Sequence, residues 1–341
     1  MRWLITGGCG FVGSNLADHL LGQGHEVAVF DNLSRLGSDT NLEWLRSQHP
    51  GLRASGDDIR DAEAVGRMVR EWQPEVVAHL CGQVAATTSL ASPRLDFEIN
   101  AGGTFNVLEA VRLHRPEALL LYSSTNKVYG ALEYLRTERS GMRYRLPEFP
   151  DGLDERIVLD PTTPYGCSKA AAEQYVKDYY RMYGIRTVVF RHSSMYGGRQ
   201  FATFDQGWVG WFCQQALRMR DARALPFAIA GDGMQVRDLL HARDLIRCYT
   251  QAVEHINRTA GEVFNIGGGT ENSLSLLELF AHLETAAHVT MQFEKTPARI
   301  ADQKVFIADC GKARARMDWV PAVSYREGLE EALAWAGQLS R

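Results

Sequence analysis

Tyr165-Gly166-Cys167-Ser168-Lys169 sets a phenol and an ammonium four residues apart, a spacing that puts both on one face of a helix. Of the twelve tyrosines, Tyr165 alone has a lysine at that offset. A phenol ionises near pH 10 and is a weak base at neutrality. A cation beside it lowers that value and makes it a proton acceptor for a hydroxyl group. One such pair also arises by chance in chains of this size, so it needs partners. Ser123-Ser124-Thr125, following the apolar run Leu119 to Tyr122, supplies them. A hydroxyl at that strand end can hydrogen-bond the substrate oxygen whose proton Tyr165 takes. Thr125, Tyr165 and Lys169 form the expected catalytic set.

A second cluster stands at the start of the chain, where Gly7, Gly10 and Gly13 occupy the first, fourth and seventh places of one turn. The turn follows a predicted strand and opens a predicted helix. Glycine there lets the backbone come close to a pyrophosphate and points helix N-terminal N–H groups at the anion. By itself the spacing also fits a plain tight loop. Asp31 adds to it: the residue ends the second strand, where a carboxylate accepts both hydroxyls of a dinucleotide ribose and repels a 2′-phosphate. NAD is therefore expected over NADP. Arg35 is either a 2′-phosphate ligand or a cover for the adenine face. Asp58 and Ile59, at the end of the third strand, border the adenine in this reading; an acid in a loop is otherwise solvated.

The elements that must position these groups follow from periodicity. Trp3 to Thr6, Val27 to Phe30, Val76 to Leu80, Leu119 to Tyr122 and Thr187 to Phe190 read as buried strands. Between them Ser14 to Leu21, Ala62 to Trp72 and Phe105 to Leu113 carry apolar residues at helical spacing. Alternation of this kind predicts an α/β fold, a doubly wound parallel sheet of the Rossmann type. Residues 1–194 are expected to form the NAD-binding domain, with a short return segment near 235–250. Residues 195–341 are expected to form a smaller mixed α/β lobe over the C-terminal edge of the sheet, where a ligand crevice belongs.

Composition excludes several alternatives. The chain of 341 residues is 45% hydrophobic and carries 37 basic against 41 acidic side chains, a net charge of -4. It can bury a large core and has no positive field for nucleic acid. Six cysteines without a CxxC pair suit buried thiols in a reducing cytoplasm, and ten histidines without HExxH or HxH spacing give no metal site. The apolar run at the N-terminus is too short for a secretion signal. The longest uncharged stretch, Val76 to Pro93, holds Gln, Thr, Ser and Pro and cannot span a bilayer. A cytoplasmic location without membrane contact is expected.

In chain order, the Gly-x-x-Gly-x-x-Gly turn, the acid after the second strand, Ser/Thr after the Leu119 to Tyr122 strand and Tyr-x-x-x-Lys resemble the extended short-chain dehydrogenase/reductase family. The resemblance implies an NAD site built from Gly7, Gly10, Phe11, Val12, Gly13, Asp31, Asn32, Ser34, Arg35, Asp58 and Ile59. Leu80, Gln83, Asn100, His192 and the catalytic Tyr165 and Lys169 complete it by the same resemblance. Arg237-Asp238 and Arg299 with Asp302 look like the arginines with which nucleotide-sugar members clamp a diphosphate, a task suited to guanidinium. Asn126, Gln206 and Val209 join Arg237 and Arg299 as implied substrate contacts.

The family's 4,6-dehydratases place Asp-Glu after the strand-end threonine as acid and base. Here Thr125-Asn126-Lys127-Val128-Tyr129-Gly130 offers an amide and an ammonium, which cannot make those proton transfers. Arg191-His192-Ser193-Ser194 also departs from the strand end of UDP-galactose 4-epimerases. Longer blocks, 123–130, 190–203 and 205–212, with the extended segment Ala131 to Pro164, resemble the family's CDP-sugar 2-epimerases. That resemblance implies inversion at C2 through a transient ketone, with NAD kept bound. It also implies a homodimer or homotetramer through the helices near Thr104 to Leu113 and Lys169 to Met182. Epimerisation at another carbon or of another nucleotide hexose stays open. So does an NAD-sensing scaffold, against which the intact Thr125, Tyr165 and Lys169 stand.

Overall fold

Seven strands form the central layer: β1 (Arg2–Thr6), β2 (Glu26–Phe30), β3 (Arg53–Ser55), β4 (Val76–His79), β5 (Leu119–Thr125), β6 (Thr187–His192) and β7 (Val263–Ile266). The computed structural model describes residues 1–221 and 226–339. The sheet order is β7-β6-β5-β4-β1-β2-β3, and every pair is parallel. The strand order reverses between β1 and β4, so their C-terminal ends open the crevice in which such sheets bind ligands.

The alternation expected of strands buried on both faces is explicit in β1 and β5. Trp3, Ile5, Leu119 and Leu121 pack into one core with Leu16, Leu20 and Tyr249. Leu4, Leu120 and Tyr122 point the other way, against Val65, Val107 and Val176. The predicted helix over 62–72 is Ala62–Trp72, its start fixed by Asp61, whose carboxylate accepts the N–H groups of Glu63 and Ala64. The first helix starts earlier than periodicity predicts, at Phe11 instead of Ser14. It winds directly out of the glycine turn, and glycines contribute nothing to an apolar pattern. β5 likewise runs on to Thr125, because Ser123, Ser124 and Thr125 stay in register with Phe190, Arg191 and His192 of β6.

The return to the first domain overlaps the expected 235–250 and runs from Ala242. Val236–His241 belongs to the second lobe, in a four-stranded sheet with Ser194–Tyr196, Ser273–Ser275 and Val305–Phe306. The chain crosses back afterwards, over the helix Ala242–Glu254 and β7. That helix buries Leu245, Ile246, Cys248, Tyr249 and Ala252 on the central sheet and delivers β7 to the open edge beside β6. The second lobe has its own core, in which Phe212, Phe227, Phe280 and Leu283 meet. The segment ahead of Tyr165 forms a hairpin, Glu138–Ser140 with Arg143–Arg145. It anchors Leu132, Leu146 and Leu153 against Val236 and Phe306. Among the described residues no helix is long and apolar enough to cross a membrane.

Candidate active site

The glycine turn is shaped by backbone crowding. Gly7 has φ +69, and a Cβ there would lie 2.8 Å from the Cys81 nitrogen; one on Gly13 would lie 2.1 Å from the Gly7 carbonyl oxygen. Those two positions admit only glycine. At Gly10 a Cβ would meet only the Gly7 oxygen, at 3.3 Å, so its outer side is open to a ligand. Gly10 caps the helix Phe11–Gly22 without a side-chain bond to its first N–H groups, and Phe11 and Val12 are half-buried in its first turn. The arrangement presents unpaired backbone donors to an anion.

Asp31 leaves β2 beside this turn. One carboxylate oxygen accepts the Cys9 N–H and the other the Leu33 N–H, both at 2.9 Å. Burial pushes its pKa up while these N–H groups pull it down. Asn32 bonds Asp58 at 2.8 Å and accepts the Ser34 hydroxyl at 2.7 Å. Asp58 is paired with Arg60, which holds its carboxyl at about 2. Ile59 is in the core under Gly103, so its side chain packs instead of facing a ligand. One terminal nitrogen of Arg35 is buried without a hydrogen-bond partner among the described residues.

Beyond β4, Leu80 is half-buried and Gln83 is locked in place. The Gln83 N–H donates to Asn100 Oδ1 at 2.9 Å, and Asn100 Nδ2 donates to the Gln83 carbonyl and to Ser168 Oγ, each at 3.0 Å. Ser168 Oγ and Gln83 Nε2 both donate to Asp96. Asn100 rides on a π-helical turn, Glu98–Gly102, a device frequent at functional sites. This buried network ties the loop after β4 to the helix Pro164–Tyr183. Asp96 and Ser168 carry no spacing signal in the sequence.

That helix carries Tyr165 and Lys169 in its first two turns. Thr163 caps it by accepting the Gly166 N–H at 3.1 Å, Pro164 opens it, and Gly184 ends it. Burial drives the Tyr165 phenol up to about 12, and the Thr125 hydroxyl facing it pulls in the opposite direction. Lys169 Nζ lies 4.5 Å above the Tyr122 ring and beside Gly82. Burial lowers its pKa to about 8. Thr125 stands at the end of β5 and accepts the Lys127 N–H at 3.2 Å. The three groups expected to act together thus converge from β5 and one helix.

His192, expected beside the cofactor, ends β6. It is 2% exposed, and its ring stacks on Tyr249 with centroids 5.9 Å apart. Its Nδ1 contacts Ser123 Oγ and the Ser124 carbonyl, and Nε2 faces the Tyr249 hydroxyl. Burial takes its pKa to about 3, so it is neutral. His192 stands in register with Thr125 in the β5–β6 ladder.

A cavity of about 270 Å³ opens between the lobes, lined by Asn126, Lys127, Gln206, Trp211, Arg237 and Arg299 among others. Arg237 pairs with Asp302 at 2.7 Å, and the Arg299 guanidinium lies 5.7 Å from the centre of the Phe204 ring. Val209 is not on this wall: it is 1% exposed, in the second core. Its neighbours Trp208, Trp211 and Phe212 share the helix face turned to the cavity. Lys127, which stands inside the same motif as Asn126, joins the expected residues on this wall.

The family model described as GDP-mannose 4,6 dehydratase matches residues 4–332. CDP-paratose 2-epimerase of Salmonella typhi is 51% identical over 339 residues, 99% of this chain and 100% of that protein. UDP-glucose 4-epimerase of Thermotoga maritima, solved with UDP-glucose, is 29% identical with a TM-score of 0.85, covering 100% of both chains. UDP-glucose 4-epimerase of Thermus thermophilus, solved in complex with NAD, is 29% identical with a TM-score of 0.81, covering 99% of both. Likeness over the full length, joined to the glycine turn and the Thr125–Tyr165–Lys169 group, makes the chain a member of the extended short-chain dehydrogenase/reductases of the GDP-mannose 4,6-dehydratase family.

Proposed function

We propose that this protein is an NAD-dependent epimerase that inverts C2 of a CDP-linked sugar, interconverting CDP-paratose and CDP-tyvelose. The observation that carries the reading is the 51% identity, over essentially the whole chain, to a CDP-paratose 2-epimerase. The site agrees with it. The open side of Gly10, the carboxylate of Asp31 and the unpartnered nitrogen of Arg35 fit a dinucleotide. When bound, NAD supplies a reversible acceptor for the hydrogen of a sugar carbon.

The chain's own residues do the rest. Tyr165 takes the proton of the C2 hydroxyl and later returns it, while Thr125 hydrogen-bonds the same oxygen and fixes its direction. Lys169 lowers the phenol's proton affinity with its positive charge. Arg237 and Arg299 hold the diphosphate, leaving the sugar free to turn and expose its opposite face while the transient 2-keto sugar persists. Although the family model is named for a dehydratase, Asn126 and Lys127 stand where dehydration needs two carboxyl groups, so water elimination has no acid–base pair here.

The same reading includes a cytoplasmic location, supported by six free thiols. It also includes a homodimer or homotetramer, supported by exposed Phe105, Tyr175, Met182 and Tyr183 on the two helices expected to pair. The test of the reaction is incubation of the purified holoprotein with CDP-paratose and with UDP- and GDP-hexoses, followed by proton NMR. A new C2 configuration with the CDP sugar is expected. Inversion at another carbon, or turnover of the other nucleotides alone, would overturn the assignment.

A further inference from the structure

We infer that Lys127 is the specificity-determining cation of this site. Its ammonium holds the sugar-proximal phosphate beside Thr125 and Tyr165, and thereby presents the carbon next to the anomeric centre to them. This deepens the reading above and rests on it for the identity of the reacting carbon.

Three observations carry it. Lys127 leaves the same strand end as Thr125, and its backbone N–H is bonded to the Thr125 hydroxyl oxygen at 3.2 Å, so it is rooted at the reacting end of the site. Its side chain lines the cavity that Arg237 and Arg299 reach from the other lobe. Its ammonium also shares its counter-ion, Asp302, with Arg237. Nζ lies 3.4 Å from Asp302 Oδ1 and 3.5 Å from Gln303 Oε1, and that same carboxylate oxygen takes the Arg237 guanidinium at 2.7 Å.

One carboxylate therefore faces three cations, Lys127, Arg237 and Arg299, leaving two positive charges for the two negative charges of a nucleoside diphosphate ester. The covalent structure of the ligand does the remainder. The proximal phosphate is joined through oxygen to C1, so C2 is one bond further on, whereas C4 lies across the ring. A cation rooted next to Thr125 draws the phosphate in and places C2 by the phenol. Arginines from the second lobe fix the diphosphate without drawing it toward β5.

The groups facing Lys127 are Asp302, Gln303, Arg237 and Arg299. Burial and the Arg237 charge bring its pKa down to about 8, partly offset by Asp302. Its contribution to phosphate binding should then fade as the pH rises through 8, while the arginines remain charged.

The experiment compares the NAD-loaded wild type with Lys127→Met, using isothermal titration with CDP and with CMP, which lacks the proximal phosphate. At pH 7 the variant should bind CDP at least tenfold more weakly and CMP within twofold of wild type. Between pH 7 and pH 9 wild-type affinity for CDP should fall, and that of the variant should stay flat. With CDP-paratose the variant should lose kcat as well as KM, because the carbon is misplaced. Unchanged CDP affinity, equal weakening of CDP and CMP, or a raised KM with kcat intact would each overturn the proposal. Lys127→Gln is the second variant, with bound NAD and near-UV circular dichroism as the check on folding. Because the titration needs no turnover, failure of the C2 assignment in the NMR assay is told apart from failure of the phosphate contact.

Discussion

Lys169→Met isolates the charge that makes Tyr165 a base. With the phenol at about 12, about one site in 10⁴ would carry phenolate at pH 8. A single positive charge about 5 Å from a phenol oxygen, at an effective dielectric of about 20, favours the phenolate by about 3 kcal/mol, roughly 2 pKa units. Removing it should lower kcat/KM at pH 8 by about 100-fold, with tenfold recovery for each unit of added pH. Wild type should depart from that slope at high pH. The ammonium of Lys169, brought down to about 8 by burial, loses its charge above that value, so the wild-type profile levels off where the variant's still rises, and the two converge toward pH 10. The assay is the profile of kcat/KM from pH 6 to 10, normalised to NAD released on denaturation. Parallel profiles, with the same loss at every pH, would refute the electrostatic role.

Tyr165→Phe should reduce kcat by about 10²–10⁴-fold and leave NAD bound, since the glycine turn is untouched; retained turnover would mean that another group takes the proton. Arg237→Ala removes the 2.7 Å partner of Asp302 and a diphosphate donor, so KM should rise about tenfold or more with a smaller change in kcat; unchanged KM and CDP affinity would remove Arg237 from the clamp. Glu173→Ala should destabilise the holoprotein by about 3–5 kcal/mol in urea titration, because Arg191 and Glu173 are 4% and 0% exposed and paired at 2.5 Å. A loss under about 1 kcal/mol would show that Tyr129, which also bonds Arg191, suffices as its partner.

Much of this architecture is written locally. Alternating apolar residues in Trp3 to Thr6 and Leu119 to Tyr122, and the capped stripe of Ala62–Trp72, specify strand or helix through burial on known faces. The glycine turn is legible because Gly7 and Gly13 answer to steric limits within one turn. What stayed hidden depends on residues far apart in the chain. The seat of β7, beyond the returning helix Ala242–Glu254, is decided by an open sheet edge that no window of sequence contains. Asp96 and Ser168 matter because Gln83 and Asn100 meet them across the crevice. Val209 is turned into the second core by its rotation about the helix Trp208–Arg220, which no spacing reveals. Lys127 was visible as a departure from the dehydratase pair, yet its role depends on Asp302 and Arg237, which reach it from the second lobe.

The central claim is that C2 is inverted by oxidation and re-reduction at carbon, with Tyr165 moving only an oxygen-bound proton. The direct measurement is the fate of a C2 label. CDP-paratose deuterated at C2 should give product deuterated at C2, with a primary isotope effect if carbon–hydrogen cleavage limits the rate. Unlabelled substrate turned over in heavy water should acquire no deuterium there. Deuterium entering C2 from solvent would mean removal and return of a proton at carbon, and the role assigned to Tyr165 would be contradicted.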